Sequence, residues 1–394
     1  MKQYKHATSV LFSLALCAFA IGSTEFISVG LLPMISKDLG VSISTSGLTV
    51  SLYALGVVFG APILTAITGK FDRKFLLLAT MSIFIMCNTL AFLSFNFSML
   101  LVGRIVSSLA HGIFMSIAST IAADVVAKNK QASAIAFMFS GLTVATVTGV
   151  PLGTWLGDVA GWRFAFLAIT LLGCLAAIAI YIVVPVGLTK PEIAKLQDIG
   201  LLFNSKKILT MFLVTALGYG GTFVVYTYVS PILEKMGYDT SAIVLILVGY
   251  GIMIAIGNTI GGKLSNHNPL KALFVMFLLQ TLTLVILFFT QSWAILGLIN
   301  IFILGLFAFM NVPGLQLQVL NFSKTDAPKS IGIASALNIS AFNIGIAFGA
   351  FLGGLINDYL GLNFTPIFAS LMVFLATLFT FVLYSKYKTS GYSI

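Results

Sequence analysis

The sequence predicts an all-α polytopic membrane protein with twelve transmembrane helices, arranged as two related six-helix bundles. Three observations lead to this prediction: a composition poor in charge, twelve long apolar runs, and basic residues concentrated in alternate loops. Of the 394 residues, 59% are hydrophobic and 8% are charged, whereas soluble chains carry about 25% charged residues. The 21 basic and 11 acidic residues cannot cover the surfaces of two or three soluble domains. The composition therefore excludes a soluble enzyme, a disordered chain and a coiled coil.

Each apolar run is long enough to cross a bilayer, which takes about 20 mostly apolar residues. The runs do not alternate with a period of two, so a β-barrel is excluded. The first run is interpreted as a retained helix, because it is too long for a signal peptide and contains Glu25. The predicted spans cover residues 7–32, 45–68, 75–95, 98–123, 132–156, 162–184, 208–231, 241–262, 271–290, 293–318, 330–356 and 362–384.

The basic residues set the predicted orientation. The formal charge of +10 does not indicate a nucleic-acid partner, because the lysines form short clusters between the spans and no continuous basic surface. Seventeen Lys and Arg residues fall on the side of the termini, three fall on the other side, and Arg104 lies within a span. By the positive-inside rule, both termini are expected in the cytoplasm.

The longest polar interruption divides the chain near its middle. It predicts an N-terminal bundle of residues 1–184, a cytoplasmic linker of residues 185–207 and a C-terminal bundle of residues 208–394. Within the linker, residues 192–203 are expected to form a short amphipathic helix at the membrane surface.

The two halves carry the same residues at matching places. Gly149, Gly153 and Gly157 recur 196 residues later, and Gly22, Thr24 and Pro33 recur 198 residues later. Glycines four residues apart let helices approach closely. Parallel repeats joined by a cytoplasmic linker are typical of a transporter whose halves rock around a site near the membrane midplane.

Three ionisable residues lie well inside the spans, where they are costly and mark ion or substrate paths by default. At 1.5 Å per residue, Glu25 in span 1 and Arg104 in span 4 fall at about the same depth, with His111 deeper on the face of Arg104. In the second half, Phe223 and Asn300 occupy the positions of the acid and the arginine. The shared scaffold therefore does not require these charges.

We hypothesise that Glu25 binds the coupling proton, that Arg104 modulates it, and that His111 relays protons or binds substrate. Burial and a neighbouring guanidinium shift the pKa of a carboxyl group in opposite directions. Motion that separates the pair would therefore capture or release a proton. The alternatives are a static Glu25–Arg104 ion pair that only supports folding, and a histidine that only packs in the core.

Uncharged aromatic and amide side chains are expected to line the substrate site. Tyr219, Phe223 and Tyr226 form one aromatic stripe on span 7, and Pro313-Gly314 can break span 10 where it lines a cavity. Helix packing is the alternative for this stripe. The substrate-contact candidates are Tyr53, Phe114, Tyr219, Phe223, Tyr226, Asn300, Asn311, Gln316, Asn338 and Asn343.

At these residues the chain resembles the major facilitator superfamily, in particular the twelve-helix drug:proton antiporters and their bacterial sugar-efflux and arabinose-induced efflux subgroup. The resemblance covers nearly the whole chain. It is carried by Thr24-Glu25-Phe26 with Gly30-Leu31-Leu32-Pro33, by Arg104 with His111-Gly112, and by Phe342-Asn343-Ile344-Gly345. It implies export coupled to proton entry, cavity helices 1, 4, 7 and 10, and a place in the bacterial cytoplasmic (inner) membrane.

Two family motifs are present in altered form. The loop between spans 2 and 3 keeps Asp72-Arg73 but has shortened glycine spacing, and the resemblance implies a cytoplasmic latch that includes Asp124. A tight turn with inside-positive charge is the alternative. The helix-packing motif of span 5 survives as Gly149, Pro151 and Gly153, and its implied role is close packing and bending.

A proton-coupled secondary transporter is the leading function. No phosphate-binding Gly-x-x-x-x-Gly-Lys-Ser/Thr loop is present, so ATP drive is not expected. An intramembrane enzyme would need a nucleophile with a base, or metal ligands, and one membrane histidine with three unpaired cysteines indicates neither. We expect no cofactor other than protons, a monomer in the lipid bilayer, and a small-molecule substrate. Sugars, lipophilic drugs, and nucleosides or other metabolites remain open, as does a transporter-like sensor without net flux.

Overall fold

The computed structural model describes residues 7–41, 43–186 and 196–387, and these residues fold almost entirely into α-helices. Among the described residues there is no β-strand. The helices are α1 Ala7–Leu39, α2 Ile43–Thr68, α3 Arg73–Phe92, α4 Phe97–Asp124, α5 Gln131–Ala160, α6 Trp162–Val183, α7 Leu196–Asn204, α8 Lys206–Tyr226, α9 Val229–Lys235, α10 Thr240–Ser265, α11 Pro269–Thr290, α12 Ala294–Ala308, α13 Val312–Asp326, α14 Ile331–Tyr359 and α15 Thr365–Tyr387.

Twelve of the described segments are long and apolar enough to cross a membrane. Their positions confirm the predicted all-α fold with twelve spans. The predicted linker helix is observed as α7 at Leu196–Asn204, whereas residues 192–195 lie outside the described part of the chain.

Two predicted spans are each built from two helices. Span 7 consists of α8 and α9, with a break at Thr227 and Tyr228, and span 10 consists of α12 and α13, with a break at 309–311. A proline removes one backbone donor, and its ring clashes with the carbonyl of the residue four positions earlier. Pro231 and Pro313 place that clash at Thr227 and Phe309, which are the residues where the first helix of each pair stops.

The chain divides into two compact units. The first comprises Met1–Val126, Phe137–Gly200 and Ala327–Ser340, and the second comprises Ala127–Ala136, Leu201–Asp326 and Ala341–Ile394. The starts of α5 and α14 are thus grouped with the other half of the sequence. That residues 1–184 and 208–394 each form one bundle stays a prediction.

Side-chain bonds to backbone carbonyls hold each of these helix starts in its unit. In the first unit, Ser116 Oγ donates to the carbonyl of Gly332 over 2.9 Å, and Ser335 Oγ donates to the carbonyl of Ser116 over 3.0 Å. In the second unit, Asn258 Nδ2 donates to the carbonyl of Ala136 over 2.8 Å. Helix starts are therefore anchored by hydroxyl and amide groups inside largely apolar spans.

The internal repeat is visible in the backbone. Among the described residues, positive φ angles occur at Gly40 (65°), Gly161 (98°), Gly237 (95°) and Gly361 (93°). The first and third of these are 197 residues apart, and the second and fourth are 200 apart. Left-handed backbone favours glycine, so each half turns its chain at the same two places with the same residue type.

The repeat extends to buried contacts. Thr24 Oγ1 donates to Asn88 Oδ1 over 2.7 Å, and Gln280 Nε2 donates to Thr222 Oγ1 over 2.7 Å. Each bond joins the first helix of a half to its third helix. The two units therefore share a polar tie at equivalent positions, in addition to the glycine pattern.

Candidate functional site

The three intramembrane ionisable residues meet in the first unit. Arg104 and His111 lie seven residues apart on α4 and so share one helix face, and they are 2% and 3% exposed. Glu25 of α1 and Tyr53 of α2 complete what we call the polar cluster. Tyr53 is 1% exposed, whereas the Glu25 side chain is 18% exposed. Glu25 is therefore the least buried member of the cluster.

The Arg104 guanidinium is held by backbone carbonyls. Its Nη1 donates to the carbonyl of Thr24 over 2.7 Å, and its Nε donates to the carbonyl of Thr49 over 3.2 Å. The guanidinium carbon also lies 4.2 Å from the centre of the Tyr53 ring, a cation–π distance. Arg104 thus ties α4 to both α1 and α2. Its Nη2 is buried without a partner.

The expected Glu25–Arg104 ion pair is not formed. Glu25 Oε2 lies instead 3.9 Å from His111 Nδ1, and Tyr53 Oη lies 3.1 Å from the same nitrogen. The expectation used depth alone, and depth does not determine the direction of a long side chain that can reach the carbonyls of adjacent helices. The acid and the arginine are connected through Tyr53 and His111.

Tyr53 was expected to contact substrate, and the structure places it inside the polar cluster. The sequence did not indicate Thr24 and Thr49 as partners of the arginine, or Asn88 as the partner of the Thr24 hydroxyl. Asn88 is a polar side chain inside an apolar run and is 2% exposed. That isolated polarity was the signal that could have found it, because buried amides need hydrogen-bond partners.

The aromatic stripe of α8 is part of a larger group in the second unit. Tyr219 lies 5.1 Å from Phe223, and Phe223 lies 5.3 Å from Tyr226, measured between ring centres. Tyr226 in turn stacks on Tyr250 of α10 at 5.8 Å. Tyr219 also contacts Phe309 at 5.3 Å and Phe342 at 4.9 Å. The aromatic cluster consists of Tyr219, Phe223, Tyr226, Tyr250, Phe309 and Phe342.

The amide residue at the break of span 10 has an unused acceptor. Asn311 Nδ2 donates to Gln280 Oε1 over 3.3 Å, while Asn311 Oδ1 and the Tyr250 hydroxyl are buried without partners. Gln280 was not among the candidates. Unpaired buried polar atoms are costly, and these two atoms carry that cost in this conformation.

The other candidate substrate contacts lie on several different helices. Asn300 donates to the Thr283 carbonyl and to Thr290 Oγ1, both at 3.2 Å, and therefore joins the last turns of α11. The remaining candidates are buried side chains on α4, α13 and α14: Phe114, Gln316, Asn338 and Asn343.

The residues of the expected latch lie at the starts and ends of helices in the first unit. Arg73 Nη1 lies 2.7 Å from Asp124 Oδ2, which joins the start of α3 to the end of α4. Asp72 caps α3 by accepting hydrogen bonds from the backbone N–H groups of Lys74 and Phe75. The described contacts of these residues all stay within one unit, and the latch role of Asp72, Arg73 and Asp124 stays a prediction.

The packing motif of α5 faces α1. Gly149 and Gly153 are buried, whereas Pro151 is exposed within the helix. A Cβ atom on Gly153 would lie 1.9 Å from Ile27 Cγ1, so the two helices approach more closely there than any larger residue allows. The geometry agrees with the close-packing role that the family resemblance implies.

Comparison with known proteins identifies relatives along the full chain. The family model described as Major Facilitator Superfamily matches residues 14–328 and 211–392. The MFS-type transporter YtbD of Bacillus subtilis is 54% identical over 94% of this chain and 94% of its own length. The inner membrane transport protein YdhP of Escherichia coli K12 is 38% identical over 94% and 95%, and AraJ of the same organism is 32% identical over 96% and 95%.

Solved structures show the same fold at low identity. The Escherichia coli fucose:proton symporter FucP aligns with a TM-score of 0.76 at 14% identity, and the alignment covers 96% of this chain and 99% of FucP. The proton:xylose symporter XylE aligns with a TM-score of 0.77 at 15% identity over 96% of each chain.

In the described part of this chain, no three His, Cys, Asp or Glu side chains come together as a metal site requires.

Proposed function

The chain belongs to the major facilitator superfamily, and on that premise we propose that it exports a small amphiphilic molecule in exchange for protons. It is a transporter and not an enzyme, and its relatives and twelve spans make it a multi-pass protein of the bacterial inner membrane. The direction of transport, the coupling ion and the cargo are the proposal.

The single observation that carries the proposal is the position of Glu25. Its carboxyl group is partly exposed, lies 3.9 Å from His111, and has no cation within ion-pair distance other than that histidine among the described residues. A carboxyl group without a fixed countercharge can bind and release a proton, which a permanent ion pair resists. Such a group inside a span marks an ion path by default.

Arg104 supports this role without pairing with the acid. Its two bonds to the carbonyls of Thr24 and Thr49 keep the guanidinium in place, and the Thr24 carbonyl belongs to the residue immediately before Glu25. We propose that any movement of α1 against α4 changes the distance between the fixed charge and the carboxyl group. Proton binding would then depend on conformation.

The proposed cargo has an apolar ring system and at least one hydrogen-bond donor. The aromatic cluster offers ring faces and edges, and its half-buried member is Tyr226. Asn311 Oδ1 offers an acceptor that no protein group uses. Lipophilic antibiotics and nucleosides share these features. We further propose that both termini are cytoplasmic and that the monomer is the functional unit.

Transport into everted membrane vesicles tests the proposal. Vesicles that contain the full-length protein should accumulate a lipophilic cargo when the lumen is acidic, and accumulation should stop when the pH difference is abolished. The Glu25→Gln variant should lose the dependence on the pH difference. Glu234→Gln, at an exposed position of α9, is the matched control and should transport like the parent. Equal pH dependence in the parent and in Glu25→Gln would contradict the assignment, and absence of flux for every cargo would favour a sensor.

A further inference from the structure

A cavity of about 500 Å³ lies in the second unit, apart from the residues of the aromatic cluster. It is bounded by the turn before α5, the connection between α10 and α11, one face of α13 and the end of α15. These loop segments belong to the side that the charge distribution predicts to be cytoplasmic. None of the described residues that line the cavity is acidic.

Two lysines line this cavity. Lys128 and Lys324 are exposed lining residues. Two lysines on one opening with no lining carboxylate attract anions. The lining thus selects for negative charge before any specific contact forms.

Two side-chain amides that line the cavity have hydrogen-bond donors that no group among the described residues uses. Gln318 is 6% exposed, and its amide has no hydrogen-bond partner among the described residues. Asn321 lies three residues further along the same face of α13 and also has none. Buried amides are normally paired because an unpaired one is costly. Gln318 therefore indicates a site that a polar ligand or water completes.

Asp326, an acid outside the lining, is paired with a lysine. Asp326 Oδ1 lies 2.6 Å from Lys207 Nζ, and Asp326 Oδ2 accepts a hydrogen bond from Ser205 Oγ. The same lysine lies 5.0 Å from the centre of the Phe322 ring and 5.5 Å from that of Tyr387, and both rings are walls of the cavity. Lys207 thus contacts two rings of the lining and neutralises Asp326.

We propose that this lysine-rimmed cavity binds a phosphate group, with the oxygens between Lys128 and Lys324 and a donated hydrogen bond from Gln318. Lysine is a common phosphate ligand, and the aromatic walls suit the glycerol or other organic part of a phosphate ester. The phosphate belongs either to the headgroup of an anionic phospholipid or to a soluble phosphate ester. The inference does not depend on the proposed cargo or on proton coupling.

Binding to the purified full-length protein tests the site. Native mass spectrometry would follow phosphatidylglycerol, with phosphatidylcholine for comparison, and calorimetry would follow glycerol 3-phosphate. We expect Lys128→Gln/Lys324→Gln to weaken binding about tenfold and Gln318→Leu to weaken it about fivefold. The matched control is Lys263→Gln/Lys271→Gln, which removes the same charge from residues outside the cavity.

Each outcome decides the proposal. Loss of phosphatidylglycerol binding alone supports a lipid headgroup, and loss of glycerol 3-phosphate binding as well supports a soluble ester. Equal weakening in the control and in the cavity variants would overturn the site, as would a wild-type protein that binds neither probe. Gln318→Leu separates a built site from general attraction to lysines, because it changes no charge. A melting temperature equal to that of the parent shows that the variant is folded.

Discussion

Replacing Arg104 by lysine separates the shape of the guanidinium from its charge. The lysine keeps the positive charge, but it cannot bond to the carbonyls of Thr24 and Thr49 at once and cannot stack flat on Tyr53. If charge alone mattered, the substitution would be nearly silent. The structure predicts a clear loss of stability in the first unit, because α1, α2 and α4 are joined at this one group.

The expected size follows from the three contacts. A hydrogen bond from a charged donor contributes about 1.5–3 kcal/mol in soluble proteins, but interhelical hydrogen bonds in membranes average about 0.6 kcal/mol. We take about 1 kcal/mol for each bond and about 1 kcal/mol for the ring contact. Because lysine restores at most one bond, the free energy of unfolding should fall by about 2 kcal/mol, which lowers the melting temperature by about 4 °C at ~2 °C per kcal/mol.

The native cysteines provide the assay. Cys17 and Cys87 are buried thiols in the first unit, so a thiol-reactive fluorogenic dye reports when that unit unfolds. Cys174 is partly exposed and should be replaced by serine in every protein compared. Arg163→Lys is the control, since the Arg163 side chain is 31% exposed and exposed pairs contribute less. An Arg104→Lys variant that melts within about 1 °C of its parent would refute the tying role.

Three further predictions follow from single contacts. Gly349→Ala places a Cβ atom 2.1 Å from a backbone carbonyl, whereas the Cβ atom of the control Gly332→Ala meets nothing closer than 3.6 Å. The first variant should lose about 1–3 kcal/mol of stability in a thermal melt. Equal melting temperatures of the two variants would show that α8 and α14 can separate. Arg73→Gln breaks the 2.7 Å contact with Asp124. It should reduce the transport rate more than it lowers the melting temperature, and an unchanged rate would argue against a latch. Tyr53→Phe removes the hydroxyl group 3.1 Å from the histidine and should change the pH profile of transport, while an unchanged profile would place the hydroxyl outside the proton path.

Much of the fold was predictable because membrane spans follow from composition. The observed helices begin near the predicted starts, as with α4, which runs from Phe97 to Asp124 against a prediction of 98–123. Two of them end later than predicted: α1 continues to Leu39 against 32, and α13 continues to Asp326 against 318. Charged residues and asparagines at the ends of apolar runs mark these boundaries. The prolines of spans 7 and 10 were visible, but the position of each break four residues earlier follows from proline geometry, which hydropathy does not contain.

The candidate site was predicted less completely. Periodicity brought Arg104 and His111 to one face of α4, and the structure agrees. It could not show that the guanidinium reaches backbone carbonyls, since every residue has a carbonyl and none is marked in the sequence. Nor could it show that Tyr53 contacts both the arginine and the histidine, and its contact with substrate stays a prediction.

The sequence also could not predict that the start of α5 belongs to the second compact unit and the start of α14 to the first. The bonds of Ser116 to Gly332 and of Asn258 to Ala136 join residues more than 100 positions apart. Hydropathy and repeat spacing describe each span alone, and they carry no information on which helix start binds which neighbour.

Proton release on cargo binding tests the central claim most directly. The purified protein, in weakly buffered detergent solution with a pH indicator, receives a saturating amount of the cargo identified in vesicles. Exchange at Glu25 predicts that cargo binding releases a proton from the parent, and that Glu25→Gln binds cargo without releasing one. Release of the same number of protons by both proteins would contradict the account, because the coupling proton would then reside elsewhere.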